Sequence, residues 1–398
     1  MTTPSSTLPP RSGAVTLQIL SIVFYTFIAF FCIGLPIAVL PGYVHDVLGL
    51  SAVMAGVVIA AQYFATLLIR PLAGRLADSL GTKRTITYGL YAIAGSGALT
   101  LLATLLHEWN TLSLSVLLVA RLLLGVGQGM VGVGTSAWGI GQVGPEHTAK
   151  VISWNGIASY GAIAIGAPLG VVMTSDPGFH SLGIALFALA AFALFMLRKR
   201  PSVPVIRGGE RLPFWSAFGR VAPYGLGLCL ASIGYGTLTT FITLYYLEQG
   251  WAGAAFCLTA FGACFILARL LFINAINHYG GFAVAFACLS VETVGFVFLW
   301  LAPSPVFALI GASLAGFGLS LVYPALGVLA IAQVPPGSRG SGLGAFAVFF
   351  DIALAIAGPL MGALAANAGY AAIFLCASGL SVVGLALIGW LSREGSGR

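Results

Sequence analysis

Residues 74–84 read GRLADSLGTKR, with Arg75, Asp78, Lys83 and Arg84 charged and glycine at positions 74 and 81. In a chain that is only 7% Asp, Glu, Lys and Arg, so dense a cluster marks a segment held in water. On either side lie apolar runs, 51–70 and 85–107. Each has roughly the 20 residues that a helix needs to cross the hydrocarbon core of a bilayer. The stretch is therefore the short loop between two membrane spans, and the same alternation repeats along the chain. Further runs at 16–41, 112–136, 151–173, 180–197, 221–246, 252–272, 282–301, 305–330, 341–365 and 369–391 bring the expected spans to twelve. Composition agrees: 59% of residues are hydrophobic and the mean hydropathy is +1.03, well above the roughly half-apolar usage of soluble domains. The sequence predicts an all-α membrane protein whose largest partner is the lipid bilayer.

A net charge of +7 would suit a nucleic-acid partner in a soluble chain, but here its distribution reports topology. With the N-terminus inside, Arg11, the basic cluster at 70–84, Lys150, the run at 198–220, Arg269, Arg339, Arg393 and Arg398 fall on one side. The opposite loops carry only Asp46, Glu108, Asp176 and Glu248 among charged residues. Lysine and arginine accumulate on the cytoplasmic side of membrane proteins. The expectation is a multi-pass protein integral to the cell's inner membrane, with both termini cytoplasmic and no nucleic-acid partner. The first run is too long for a signal peptide and leads into eleven more, so it reads as helix one. The six cysteines all fall in spans without ligand-like spacing, as small core residues do.

The longest polar stretch, RKRPSVPVIRGGERLPFWSAFGR at 198–220, is rich in Pro, Gly and Arg. It divides the chain into an N-terminal bundle at 1–197, a cytoplasmic linker at 198–220 and a C-terminal bundle at 221–398, with six spans in each half. RPLAGRLADSLG at 70–81 and RLLFINAINHYG at 269–280 share Arg and Gly at the same spacing, with Asn277 opposite Asp78. IGAPLG at 165–170 likewise matches IAGPLM at 356–361. Matches at equivalent places point to duplicated halves, the plan of many membrane transporters, which hold substrate between the repeats near the bilayer midplane.

Over essentially its whole length the sequence resembles transporters of the major facilitator superfamily, whose fold is twelve transmembrane helices in two six-helix bundles. GRLADSLGTKR is similar to the family's G-x-L-A-D-R-x-G-R-K loop between helices two and three, with Ser79 and Thr82 where basic residues are expected. Gly74, Arg75, Asp78, Gly81, Lys83 and Arg84 are then the cytoplasmic gate motif. Gly74 is expected to permit close helix approach and Gly81 a turn closed to other residues. The resemblance implies that Asp78 meets the N-terminus of helix eleven when the gate is shut, as helix dipoles favour.

RLLLGVGQGMVGVG at 121–134 puts Arg121, Gly125, Gln128 and Gly132 on one stripe. An arginine near mid-membrane should face a cavity or another helix. The stretch resembles the family's fourth-helix R-x-x-x-G motif, which implies a part for Arg121 in proton coupling; bracing the carbonyls of a neighbour is the alternative. GAIAIGAPLG at 161–170 is similar to the fifth-helix signature of the antiporter branch, with Ala167 and Val171 in place of glycines. Gly161, Gly166, Pro168 and Gly170, with Gly358 and Pro359 in span eleven, are the expected points where the halves pack and bend.

Span eleven contains AVFFDIALAIAGPLMG at 347–362, an apolar run broken by Asp351. A charge at mid-helix costs about 3 kcal/mol. Gly344, Ala347, Asp351, Ala355, Gly358 and Gly362 project onto one narrow stripe, with Phe346, Phe349, Ile356, Leu360 and Leu364 opposite. Small residues mark helix contact and large ones lipid, so Asp351 is expected to point inward. Burial disfavours the charged form of a carboxylate and a nearby cation favours it. Such a group can carry a proton as access alternates; the alternative is a helix–helix hydrogen bond. Glu292 in span nine is the second mid-membrane acid and ranks below it, because its stripe is mixed and ninth helices are peripheral in the resembling fold. Tyr25, Gln62, Asn155, Tyr160 and Tyr235, with Arg121 and Gln128, are the polar-capable residues expected to line a substrate cavity.

No GxxxxGK[ST] phosphate loop, nucleophile–base pair or His/Cys metal constellation is present, so the reading is a transporter and not an enzyme. No cofactor is expected; the proton motive force is the energy source. The resemblance points to the drug/proton antiporter side of the superfamily, near the YhhS and YfcJ group. It implies a monomer that exports a small organic molecule in exchange for protons, with proton-coupled import of a sugar or small metabolite as the rival. A non-transporting receptor or assembly subunit is a third reading. Arg121, and the lack of an acid in the inner spans of the first half, favour anionic or zwitterionic cargo.

Overall fold

A computed structural model describes residues 12–144, 147–175, 178–201, 214–272, 274–335 and 339–396. Twelve long helices account for most of them. In the first half these are α1 (Ser12–Ile37), α2 (Ala52–Ser79), α3 (Thr82–Leu105), α4 (Asn110–Val143), α5 (Thr148–Ser175) and α6 (His180–Arg198). In the second they are α7 (Phe214–Glu248), α8 (Ala255–Leu271), α9 (Gly281–Trp300), α10 (Pro305–Ala332), α11 (Arg339–Ala368) and α12 (Tyr370–Ser396). Eleven are long and apolar enough to cross a membrane, while α8, at 17 residues, sits at the lower limit of length. An even number of crossings puts the start of α1 and the end of α12 on one face, here the terminal face; the other is the distal face.

Sequence punctuation sets the ends. The Ser51 hydroxyl accepts the backbone N–H of Met54 and caps α2. Gly81 (φ +92°) opens α3 and Gly280 (φ +82°) opens α9. Both hold a left-handed backbone that only glycine adopts without strain, so the matching glycines of the two repeats do the same work. α7 begins at Phe214, seven residues before the span expected from hydropathy, because the aromatic-rich FWSAFGR continues the helix.

The two halves pack by the same rule. In the first, α1 lies on α5, α2 on α4, and α3 on both α4 and α6; in the second the same pairs recur six helices on. The halves meet along two equivalent seams, α2 against α11 and α5 against α8. The result is an all-α membrane protein of two six-helix bundles. Phe64, Leu68, Val172 and Trp390 are among the large apolar side chains left on its outside, as lipid-facing surface requires.

Candidate functional site

The α2–α11 seam is built from two facing stripes whose members recur every seven residues, two helical turns. Near the distal face Gly56 and Gly358 bring the two backbones into direct contact; a Cβ on either would overlap the other's carbonyl. Two turns further along α11, Asp351 is 1% exposed. The Arg70 guanidinium, on α2, donates from Nε to one carboxylate oxygen of Asp351 and from Nη2 to the other, at 3.0 Å. This forked geometry is the strongest that a guanidinium and a carboxylate form. Beyond the pair the stripes diverge: among the described residues no neighbouring-helix atom lies within 4 Å of where a Cβ on Gly74 or Gly344 would sit. The Arg70 side chain remains 25% exposed at this divergence.

The α5–α8 seam is its counterpart. Arg269, the repeat equivalent of Arg70, reaches across and lies against the backbone of Gly156. Its Nε donates to the Ser320 carbonyl at 3.2 Å, and its guanidinium stacks 4.9 Å from the centre of the Phe265 ring. The acid is absent here: Asp351 stands eight residues before Pro359, and eight before Pro168 stands Tyr160. Tyr160 stacks on Phe265 at 3.7 Å and meets Tyr235 edge-on at 5.4 Å, while Tyr235 stacks on Phe261 at 5.1 Å. An aromatic wall thus runs between the bundles at the depth of the ion pair.

Arg121 is buried where α4 packs on α2. One turn on, Gly125 sits on the Gln62 carbonyl, and Gln62 donates to Gln128 at 2.7 Å. The Gly125 and Gln128 part of the expected stripe therefore faces α2, while among the described residues no atom of a neighbouring helix lies within 4 Å of where a Cβ on Gly132 would sit. Among the described residues, Nε and Nη2 of Arg121 have no hydrogen-bond partner. Tyr63, seven residues before Arg70 on the α2 stripe, is buried. Asn155 accepts from Thr26 at 2.7 Å, tying α5 to α1 beside Thr135 and Ser136 of α4. Tyr25 stacks on Trp138 in a cleft of about 140 Å³ with Gln142 and Arg200, toward the terminal face.

Several expectations change. Gly74 makes no close approach, because α2 and α11 diverge at that level. Gly166 and Gly170 pack on Gly34 and Leu35 of α1, within the first bundle and not between halves; Gly161 and Gly358 are the seam glycines, facing Ile266 and Gly56. Pro168 and Pro359 lie inside their helices. Phe346 and Phe349 are buried and do not face lipid: Phe349 stacks on Phe218 of α7 at 4.7 Å and Phe346 packs on Tyr323 of α10, leaving Ile356 and Leu360 outside. Lys83 donates to the carbonyls of Arg198 and Arg200, so it serves the end of α6. Arg75 is exposed and Arg84 borders the start of α3. The side chain of Asp78 is outside the described residues.

Glu292 is inward-facing despite its place on α9, whose backbone at this residue packs on Gly318 of α10; neither carboxylate oxygen has a partner among the described residues. Replacing it breaks no ion pair, so Glu292→Gln is expected to hold or raise the stability of purified protein, by up to about 2 kcal/mol, read as an unchanged or higher thermal midpoint. A fall would show an interaction that the carboxylate needs.

The residues missed by sequence reading are Arg70, Arg269, Tyr63 and the Phe261–Phe265 wall. The two arginines counted as loop charges, although their matched spacing in the repeats was visible.

Comparison with known proteins adds the following. The sequence model of the Major Facilitator Superfamily matches residues 22–281. Uncharacterized MFS-type transporters of Burkholderia mallei (strain SAVP1) and Pseudomonas aeruginosa (strain LESB58) are 53% and 54% identical over 379 and 380 residues. These matches cover 95% and 96% of this chain and 93% and 94% of theirs. Among solved structures, the human organic anion transporter MFSD10 (TETRAN) superposes with a TM-score of 0.72 at 17% identity, over 96% of this chain and 100% of its own. A variant of the nucleoside transporter NupG gives 0.72 at 17%, over 93% and 98%. At that identity the likeness is one of fold alone.

Proposed function

The chain belongs to the major facilitator superfamily, and from that premise we propose that it is a proton-coupled antiporter exporting a small organic molecule by alternating access. It is a multi-pass membrane transporter and not an enzyme. The observation that carries the coupling is the Asp351–Arg70 ion pair, the one membrane-embedded ion pair among the described residues, placed where α2 leaves α11. A proton on Asp351 cancels the attraction and frees Arg70; its loss re-forms the pair. The two bundles, in contact at Gly56 and Gly358 in this arrangement, then rock so that the crossing parts as the distal face opens. The terminal face is cytoplasmic on this reading, which the basic residues along it support. The gate motif would shut it, with Asp78 docking at the start of α11. The protein is a monomer of the inner membrane and needs no cofactor. One proton entering down 100 mV supplies about 2.3 kcal/mol, enough for a roughly 40-fold gradient of neutral cargo.

The test is proton movement in inverted membrane vesicles energised to an acid interior. Candidate cargo added outside, at the cytoplasmic face, is expected to discharge the pH gradient in vesicles holding the protein and not in controls. If cargo instead enters right-side-out cells with protons, the direction reverses and the chain is an importer. If no cargo in a broad metabolite and drug panel moves a proton in either preparation, the coupling proposal fails.

A further inference from the structure

Where α3 begins and α6 ends, packed together on the terminal face, five cations gather: Lys83 and Arg84 on α3, with Arg198, Lys199 and Arg200 closing α6. None of the five is in an ion pair among the described residues. Lys83 and Arg198 line one groove of about 200 Å³, together with Thr87 and Tyr91 of α3 and Leu194 and Leu197 of α6. A direct contact holds the two near each other, since the Lys83 ammonium donates to the Arg198 carbonyl at 3.3 Å and also to that of Arg200. The groove opens outward: Tyr91 is 54% exposed, and Phe192 and Phe195 of α6 are left on the outside. Lys199 sets its ammonium over the Phe195 ring, 4.8 Å from the centre. From the terminal face inward, the lining passes from cations at 83 and 198 to hydroxyls at 87 and 91 on α3 and leucines at 197 and 194 on α6. That order, charge at the face and apolar surface beneath it, matches a phospholipid read from head group to acyl chain. The second bundle supplies an internal comparison. Matching Gly81 to Gly280 puts Phe282, Ala283 and Phe286 of α9 where α3 has Lys83, Arg84 and Thr87. Both grooves open on the same face, so a bias that only sets topology acts on both alike; the polar lining belongs to one.

We infer that this groove binds an anionic phospholipid of the leaflet at the terminal face, its phosphate between Lys83 and Arg198 and its acyl chains along Phe192 and Phe195 of α6. Basic pockets between membrane helices take anionic head groups in this way. The bound lipid supplies a negative charge to cations that repel one another, and so steadies the junction of α3, α6 and the start of the linker. The site needs only that the chain spans a membrane, and is independent of the direction and coupling of transport.

Native mass spectrometry and thermal unfolding of the purified full chain in neutral detergent test it, with phosphatidylglycerol, phosphatidylcholine and inorganic phosphate as probes. Phosphatidylglycerol is expected to stay bound and to raise the midpoint saturably. Phosphatidylcholine, whose phosphate is offset by its own cation, should bind at least roughly tenfold more weakly. Arg198→Gln should weaken phosphatidylglycerol binding roughly fivefold, the worth of one cation near an anionic lipid, and Arg198→Lys should keep most of it. Arg198→Gln leaves the Lys83 contacts to the α6 carbonyls in place. Lys83→Gln removes those contacts as well and should weaken binding at least as much. Arg393→Gln, which takes an exposed cation from the last turn of α12 on the same face, is the matched control and should change nothing. Equal binding of the two lipids overturns the inference. So does equal phosphatidylglycerol binding by Arg198→Gln and Arg393→Gln, kept or lost together, the mark of a charged face without a site. Inorganic phosphate that raises the midpoint as far as phosphatidylglycerol at the same concentration also overturns it, in favour of a site for the free ion.

Discussion

Asp351→Asn will remove more than about 90% of proton-linked flux in inverted vesicles, because among the described residues no other paired acid sits on the seam to carry the proton. Substrate exchange at equal pH on both sides, which needs alternating access but no net proton transfer, should survive within a few-fold. The variant also strands the Arg70 charge. Breaking a buried pair costs about 3–5 kcal/mol; with a quarter of the Arg70 side chain exposed, the loss should fall below that range. Adding Arg70→Gln should recover much of the stability and none of the coupling, a non-additivity expected of groups in direct contact. Wild-type proton release by Asp351→Asn would end the coupling role.

The second large effect is steric. Gly56→Val puts a branched side chain where the Gly358 carbonyl stands, and backbone cannot yield as a flexible side-chain tip does. Overpacking of this kind costs about 1–3 kcal/mol, sometimes more. The cost falls on the arrangement in which α2 and α11 touch near the distal face, so the variant should populate an arrangement open there and lose most transport. Spin labels on the distal ends of α2 and α11 would show the distance between them lengthen. Gly74→Val is the matched control: nothing opposes a side chain there, and this arrangement should persist. An unchanged α2–α11 distance in Gly56→Val would refute the role of this crossing in closing the distal face.

Span number, bundle plan and the inward direction of Asp351 were legible because hydropathy and small-residue stripes report burial directly. What the sequence concealed was partnership. Arg70 lies about 13 Å inside the end of α2, at 1.5 Å per residue. Hydropathy nevertheless ended the span at that residue, since a single arginine lowers a window average whether or not the helix continues. Its partner lies 281 positions away, beyond any periodicity argument. Phe346 and Phe349 were assigned to lipid because size alone cannot separate a lipid face from a face covered by a third helix. Gly166 and Gly170 show the converse: a small-residue pattern predicts contact without saying which neighbour is contacted. Tyr63 carried no signal, one aromatic among many.

The unequal seams bear on stoichiometry. The two halves carry matching latches, and only one sets a carboxylate against its arginine; at the other, Tyr160 holds the place of the acid. Under the proposed coupling the cycle then has a single tooth, so one proton is exchanged per turnover. For a singly charged anionic cargo, each turnover moves two elementary charges in the same sense. Membrane voltage, more than the difference in acidity, would set how far such a pump can empty the cell.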